Sequence, residues 1–461
     1  AKGAWLTPTK AANDAWGGYR DAGDFDRRYD HSDVPYLLLD VFELSGGAAG
    51  SVQFGIPKSS EFLDKELYGG TDALPDILHE AIWTLDMFRR LQGPDGSVRG
   101  GLETEGGPLW GEPSYLNHFP AFVHAPDHVS TYRYAGGAAK LAVVLKPFAP
   151  ALAKVYEDSA IRAWDAAEKA YADPDAYYAE AVRVTGEKGG FGEGGWPAFK
   201  EKLHASATGE RIGASGALFR LTGSDTYRNA FENAWRKGFE FTGHAADGAW
   251  EYLRSDNPAT NAEIKDGIKA ALLKEAGFVY KASALQAYAN LKHFYAPLGW
   301  GQGLAPDYNS TMLLMRSHNL TRNPEILRAM EKGSAQILGA NQVGLSFTTG
   351  LGVRGLRHPL HEDHAAMGVP APIGITIYGW APQSQTNHFW IFGDYWSALP
   401  VTGTRENAAN RRVEPDRFAM PLFEYLIEHP SLVMMNEYTV QQSIATTTAM
   451  WLYLYLEGRK A

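Results

Sequence analysis

Helical periodicity dominates this chain. In 72–92, Leu74, Ile77, Leu78, Ala81, Ile82, Leu85, Phe88 and Leu91 recur at the i, i+3, i+4, i+7 spacing of one buried helix face. Pro75 sits where a first helical turn tolerates a missing N–H, and Gly93-Pro94 ends the run. A second helix is expected from Ser32-Asp33-Val34-Pro35 through Leu37, Leu38, Val41 and Phe42. Segment 151–171 lines up Leu152, Val155, Tyr156, Ala160, Ala163, Trp164 and Ala167, and 225–241 groups Tyr227, Phe231, Ala234 and Trp235. Further helices are expected near 129–147, 207–221, 262–276, 279–295, 308–319, 324–338, 416–428 and 438–456.

That amounts to about a dozen helices with few alternating strands. The intervening Gly/Pro-rich stretches 93–127, 173–199, 339–384 and 385–415 are long for structureless connections, and such loops are usually functional. No Ser/Pro/Gly linker divides the chain, and no short fixed repeat marks a solenoid. The expectation is a single all-α domain over residues 1–461, with helix pairs around a central axis.

Composition narrows the function. With 45% hydrophobic and 21% charged residues, the 461-residue chain reads as globular. A net charge of −10 argues against nucleic acid as a partner. Cysteine is absent, which excludes disulfides and thiolate metal sites and suits an extracytoplasmic bacterial protein. No run of about 18 apolar residues predicts a membrane span. No signal peptide is visible, and the start at Ala1 reads as a mature or trimmed form. Aromatic residues reach 12%, with 13 Trp and 23 Tyr, enough both for a large core and for rings that stack on sugar faces.

Two short motifs carry chemistry. Gly17-Gly18-Tyr19-Arg20-Asp21-Ala22-Gly23-Asp24 puts two carboxylates, Asp21 and Asp24, on a glycine-braced turn. Alone it also reads as an acidic loop capping the next helix. Asn436-Glu437 supplies a third carboxylate at the start of an apolar helix, where a negative charge is also expected simply from the helix dipole. Hydrolysis of a glycosidic bond needs two carboxyl groups facing each other, one protonated to donate and one ionised to activate water.

Together these segments resemble the family 9 glycoside hydrolases, the cellulase family built on an (α/α)6 barrel. The turn at 17–24 matches the Gly-Gly-aromatic-x-Asp-Ala-Gly-Asp signature, and 436–437 the Asn-Glu signature. Between them, Leu74, Pro75, Asp76, Glu80, Trp83, Leu85, Asp86 and Gln92 are similar to a family helix. Ala214–Gly223, Ile337–Asn341 and Ser346–Gly350 resemble further family blocks in the same order. The resemblance implies inverting hydrolysis of β-1,4-linked glucan backbones, with Asp24 as base, Asp21 helping to hold the water and Glu437 as acid. Inversion goes with carboxyl groups roughly 6.5–9.5 Å apart. No cofactor is required, and the partner is a β-glucan polysaccharide or oligosaccharide. The expected location is secreted or periplasmic.

The departures from the family concern the surroundings. The family's His-Arg pair aligns with His361-Glu362, so the histidine is kept and an acid replaces the arginine. A substrate with a group that plain cellulose lacks (xyloglucan, xanthan, or gluco- or glucosamino-oligosaccharides) therefore stays open. The family's acid pair for a structural calcium aligns with Gly209-Glu210-Arg211, where one acid is missing, which speaks against calcium there. Only 16 residues precede the first motif, where the family usually has a helix and often an immunoglobulin-like module. His128, Tyr132 and His361 are candidate sugar contacts by resemblance, and Trp300, Tyr378 and Trp380 as aromatic rings in loop-like stretches. His358, His361 and His364 also have spacing that could present imidazoles to a metal. The alternatives are a glycan-binding protein on a degenerate scaffold and, less well matched for want of a basic cluster, a polysaccharide lyase.

Overall fold

The computed structural model describes residues 6–8, 15–21, 26–104, 113–116, 120–187, 190–291, 306–341, 343–379 and 436–459. The expected helix at 416–428 lies outside them. Eleven helices matter here: α1 (Asp33–Leu44), α2 (Asp76–Arg90), α3 (His128–Leu145), α4 (Pro150–Ala172), α5 (Gly195–Thr222), α6 (Asp225–Lys237), α7 (Gly243–Arg254), α8 (Ala262–Ala284), α9 (Tyr308–Thr321), α10 (Pro324–Ile337) and α11 (Ala445–Gly458). Side-chain caps set several starts: Asp127 accepts from the Ser130 N–H at 2.8 Å, Asp307 from Ser310 at 2.7 Å and Asn261 from Ile264 at 3.1 Å. α5 ends at Gly223 in the left-handed conformation.

The helices form an (α/α)6 barrel. Its inner ring is α1, α3, α5, α7, α9 and α11, and α3 and α7 are buried nearly all round. Each inner helix touches the next. Tyr36 on α1 donates to the Arg133 carbonyl on α3, and Arg133 grips Glu210 on α5. Asp247 on α7 pairs with Arg316 on α9, and His318 on α9 bonds Tyr453 on α11. α11 packs back on α1 and closes the ring. The α5–α7 crossing is the tightest: a Cβ on Gly216 would lie 2.0 Å from the Gly248 carbonyl oxygen, so only glycine permits this approach.

A charged chain runs through the ring. Lys140, fully buried, meets Asp40 and Glu251, the latter at 2.5 Å. Arg316 bridges Asp40 at 2.7 Å and Asp247 at 2.6 Å. His244 lies 3.0 Å from Asp247 and 2.9 Å from Asp33, and Arg133 joins Asp33 to Glu210. At the other end Arg220 links Glu251 to Glu43, which also holds Arg254. Early residues pair with early and late with late, so the inner helices run in one direction. Their N-termini therefore share one mouth.

Several differences from the sequence expectations have physical causes. Helix α7 was not expected, because its buried face carries His244, Asp247 and Glu251, whose partners are remote in sequence and whose charges erase the apolar period. The stretch 173–199 is not an open loop: it holds the short helices Pro174–Tyr177 and Ala179–Glu187, and α5 begins at Gly195. The two helices expected over 262–295 are one at first, α8, continuous to Ala284. The expected loop 93–127 contributes two strands to a small antiparallel sheet. Its order is β1 (Leu6–Pro8), β4 (Ala121–His124), β3 (Gly101–Thr104), β2 (Arg27–Arg28). Strands of two to four residues are too short for alternation to show. Strands β2 and β4 lead into α1 and α3, which puts the sheet at the same mouth.

Lys140→Met should cost about 3–5 kcal/mol in urea unfolding, because Asp40 and Glu251 lose their shared buried cation. Stability should also depend on His244. Burial and Arg133 push its pKa down, but Glu210, Asp247 and Asp33 outweigh them and hold it at about 9. A histidine raised above its unfolded value of about 6.5 stabilises fully below that pH and loses the contribution as pH climbs through about 9. The urea midpoint should fall from pH 7 to pH 10, and His244→Asn should flatten that fall.

Candidate active site

The site is built from the mouth of the barrel inwards. Residues 15–21 lie along α2, whose residues Glu80, Trp83, Met87 and Arg90 form one edge at helical spacing. Tyr19 donates its hydroxyl to Glu80, the Trp83 indole N–H donates to the Gly18 carbonyl at 3.1 Å, and Arg90 donates to the Trp16 carbonyl at 2.8 Å. Arg90 also covers the Trp16 ring at 4.1 Å. Burial, and then Tyr19's bond pulling the other way, leave the Glu80 carboxyl above the usual carboxylate range. Gly18 has φ +70, and a Cβ there would lie 2.5 Å from the Met87 sulfur. A glycine is thus required for the turn to lie this close to α2.

The two motifs meet. Asp21 Oδ1 accepts the Val440 backbone N–H at 2.8 Å, across 419 residues of sequence. Its other oxygen lies 3.0 Å from His31 Nε2. Val440 opens a π-helical turn, Val440–Ile444, ahead of α11, and this N–H is one of the donors a helix start leaves without an internal partner. Asn436 and Glu437 are held by their backbones: Leu360 N–H donates to Asn436 and Tyr378 N–H to Glu437, each at 2.8 Å. Tyr378 is thereby brought beside Glu437, and the 360–361 segment beside Asn436. Burial, then the Glu437 and Asp21 charges, raise the Tyr378 phenol against a lowering bond from Thr439, so it stays protonated.

Asp363 joins a third segment. Its carboxylate accepts the Ser114 N–H at 2.5 Å and the Ser114 hydroxyl at 2.8 Å. Burial alone would raise it, but the two Ser114 bonds, His361 and Arg20 carry it below the ordinary range. Arg20, next to Asp21, is lowered by burial and partly restored by Asp363. Asp363 is thus near enough to Arg20 of the first motif for their charges to act on each other, and Glu362 is buried. His361 caps the short helix Glu362–Met367, taking the His364 N–H on Nδ1 at 3.2 Å. His358 and His364 bond each other at 3.0 Å, and His364 also engages the Val369 carbonyl. His358 Nδ1, His361 Nδ1 and both His364 nitrogens are thus engaged within the loop.

His128 and Tyr132 sit in α3 among the wall residues. Both are buried, 1% and 0% exposed, within the wall. The His128 ring meets the Tyr178 hydroxyl at 2.6 Å, and burial followed by His204 pushes its pKa down to about 4. Tyr132 donates to Glu168, which Arg211 also grips. Among the described residues, neither ring is exposed at a surface. Asp24, Trp300 and Trp380 lie outside the described residues. The sequence reading did not single out His31, Met87 or Arg90; the signals were the histidine just ahead of the α1 start and the 80, 83, 87, 90 spacing.

Two carboxylate sets bear on cation binding. Glu210, aligned with the family's calcium ligands, has both oxygens taken by Arg133 at 2.9 and 2.8 Å. Asp40, Glu43 and Glu251 bring carboxylate oxygens within 4.8 Å of one another, but Lys140 and Arg220 already supply the positive charge. Neither set fits a metal ion. Among the described residues, no helix is long and apolar enough to cross a membrane.

A closed ring of helical hairpins with carboxylates and aromatic residues gathered at one mouth defines the α/α-toroid class. The sequence profile of Glycosyl hydrolase family 9 matches residues 2–380, and the chain belongs to that family. Endoglucanase D of Acetivibrio thermocellus is 22% identical over 80% of this chain and 56% of its own length. A xyloglucan-specific endo-beta-1,4-glucanase of Bacteroides ovatus is 26% identical over 81% and 62%. The chain thus spans little more than half of these relatives. A thermostable endoglucanase from Alicyclobacillus acidocaldarius has the same fold, with TM-score 0.70 and 20% identity over 97% of this chain and 75% of its own.

Asp363→Ala should release the 113–116 segment. Loss of a bond to a charged acceptor, worth about 1.5–3 kcal/mol, should speed hydrogen exchange at the Ser114 N–H by about tenfold or more, read by NMR or mass spectrometry.

Proposed function

We propose that this protein is an inverting glycoside hydrolase acting on β-1,4-linked glucan backbones, substituted glucans included. The observation that carries the reading is the Val440 N–H bond to Asp21, which draws the first motif and the Asn436-Glu437 segment into one cluster. Family membership and the names of the relatives, endoglucanases and a xyloglucanase, support the substrate class. In this reading Glu437 protonates the glycosidic oxygen as its bond to the anomeric carbon breaks. Asp21 holds a water and Asp24 takes its proton as it attacks the opposite face of the sugar. The family's arginine aligns with Glu362, a buried acid here, and its neighbour Asp363 is bonded to Ser114, which favours a substrate contacted differently from plain cellulose. A glucan polymer is met outside the cell, so the reading includes a secreted or periplasmic location.

NMR or polarimetry on a soluble β-glucan should show the α-anomer as the first product. Glu437→Gln should lower kcat by about 10²–10⁴-fold. A β-anomeric first product, or undiminished activity in the variant, would sink the mechanism. Binding without turnover across a panel of β-glucans would instead make the protein a glycan binder.

A further inference from the structure

We propose that His31 is a positioning residue that orients the water-holding carboxylate of Asp21; this rests on the hydrolase reading above. His31 is 2% exposed and lies in the turn Tyr29–Ser32 that opens α1. Its Nδ1 faces the Arg28 backbone N–H at 3.4 Å, and its Nε2 faces Asp21 Oδ2 at 3.0 Å. A backbone N–H can only donate, so Nδ1 is the acceptor and the ring proton sits on Nε2, aimed at the carboxylate.

Asp21 then has a donor on each oxygen, Val440 N–H on Oδ1 and His31 Nε2–H on Oδ2. Two donors on two oxygens fix both the direction and the plane of a carboxylate. The group keeps 17% of its side-chain surface, and the lone pairs left over point where a water can be taken up. The start of α1 anchors His31 in turn. Two residues on, Asp33 is bonded to His244 at 2.9 Å and to Arg133 at 2.5 Å. The orientation of Asp21 is thereby referred to the rigid inner ring rather than to the glycine-rich turn that carries it. That is how supporting groups hold a reactive side chain to the narrow tolerance catalysis needs.

The test is steady-state kinetics of His31→Ala and His31→Gln on a soluble β-glucan, with thermal unfolding of each. Gln places an amide N–H near the position of Nε2. Alanine should lower kcat about 10²-fold with KM changed less than about threefold, since misplacement acts on the reacting geometry. Gln should recover kcat to within about tenfold of wild type, and added imidazole should raise the activity of the alanine variant. Equal kcat in wild type and alanine variant, a loss confined to KM, or no recovery with Gln while its thermal midpoint matches wild type would overturn the proposal. The hydrolase reading fails separately, by wild-type inactivity on every β-glucan. If the alanine variant does not fold, the Gln variant beside Asp21→Ala decides: Gln must retain what Asp21→Ala loses.

Discussion

The barrel depends on charges placed where no water can reach them. Lys140, Arg316 and His244 sit between carboxylates from α1 and α7, and each cation touches at least two helices. Apolar packing is tolerant of sliding, because one methyl group is much like another. A buried ion is not: shifted by one residue, Lys140 would leave Asp40 or Glu251 unpaired at a cost comparable to much of a domain's stability. The network therefore fixes the axial register of the inner helices, and with it the level at which each helix begins. Buried ion pairs add little net stability over a well-packed apolar core, so their effect here is read as register rather than strength.

Register matters because the site is assembled from what precedes those helix starts. The 17–21 turn and the Tyr29–Ser32 turn lead into α1, the 436–444 segment leads into α11, and α1 and α11 are neighbours where the ring closes. Asp21, Glu437, His361 and Tyr378 come from four separate stretches. Backbone bonds at Asn436 and Glu437, side-chain bonds at Asp21 and Asp363, and the edge of α2 hold those stretches together. The holding groups are backbone or partly buried side chains, which keeps a mouth made of loops in one arrangement.

Legibility followed the physics of each signal. The amphipathic helices α4 and α10 show their period because one face is apolar and the other wet. Helix α7 is hidden because its buried face is charged, and the partners that make those charges acceptable come from α1, α3 and α9. The catalytic candidates Asp21 and Glu437 were found only as a pair of motifs; either one alone reads as a helix cap. His31 was passed over because its role lies in whom it touches, Asp21, and the bond of Asp363 to Ser114 spans 249 residues, a separation that no local pattern reports. His128 and Tyr132 were placed by their position near a helix start, which says nothing of whether a ring points into the cleft or into the wall.

The bond between Asp21 and Val440 has a consequence for how the protein comes into being. Synthesis runs at roughly 5–20 residues per second, so the 419 residues between the partners take about 20–80 s to emerge. Through that interval Asp21 has no backbone donor from the far motif, although most of the helical wall can already form. The chain becomes able to assemble its cluster only when Val440 has left the ribosome. A ribosome that stalls inside 360–430 would release a nearly complete barrel with no route to the assembled cluster.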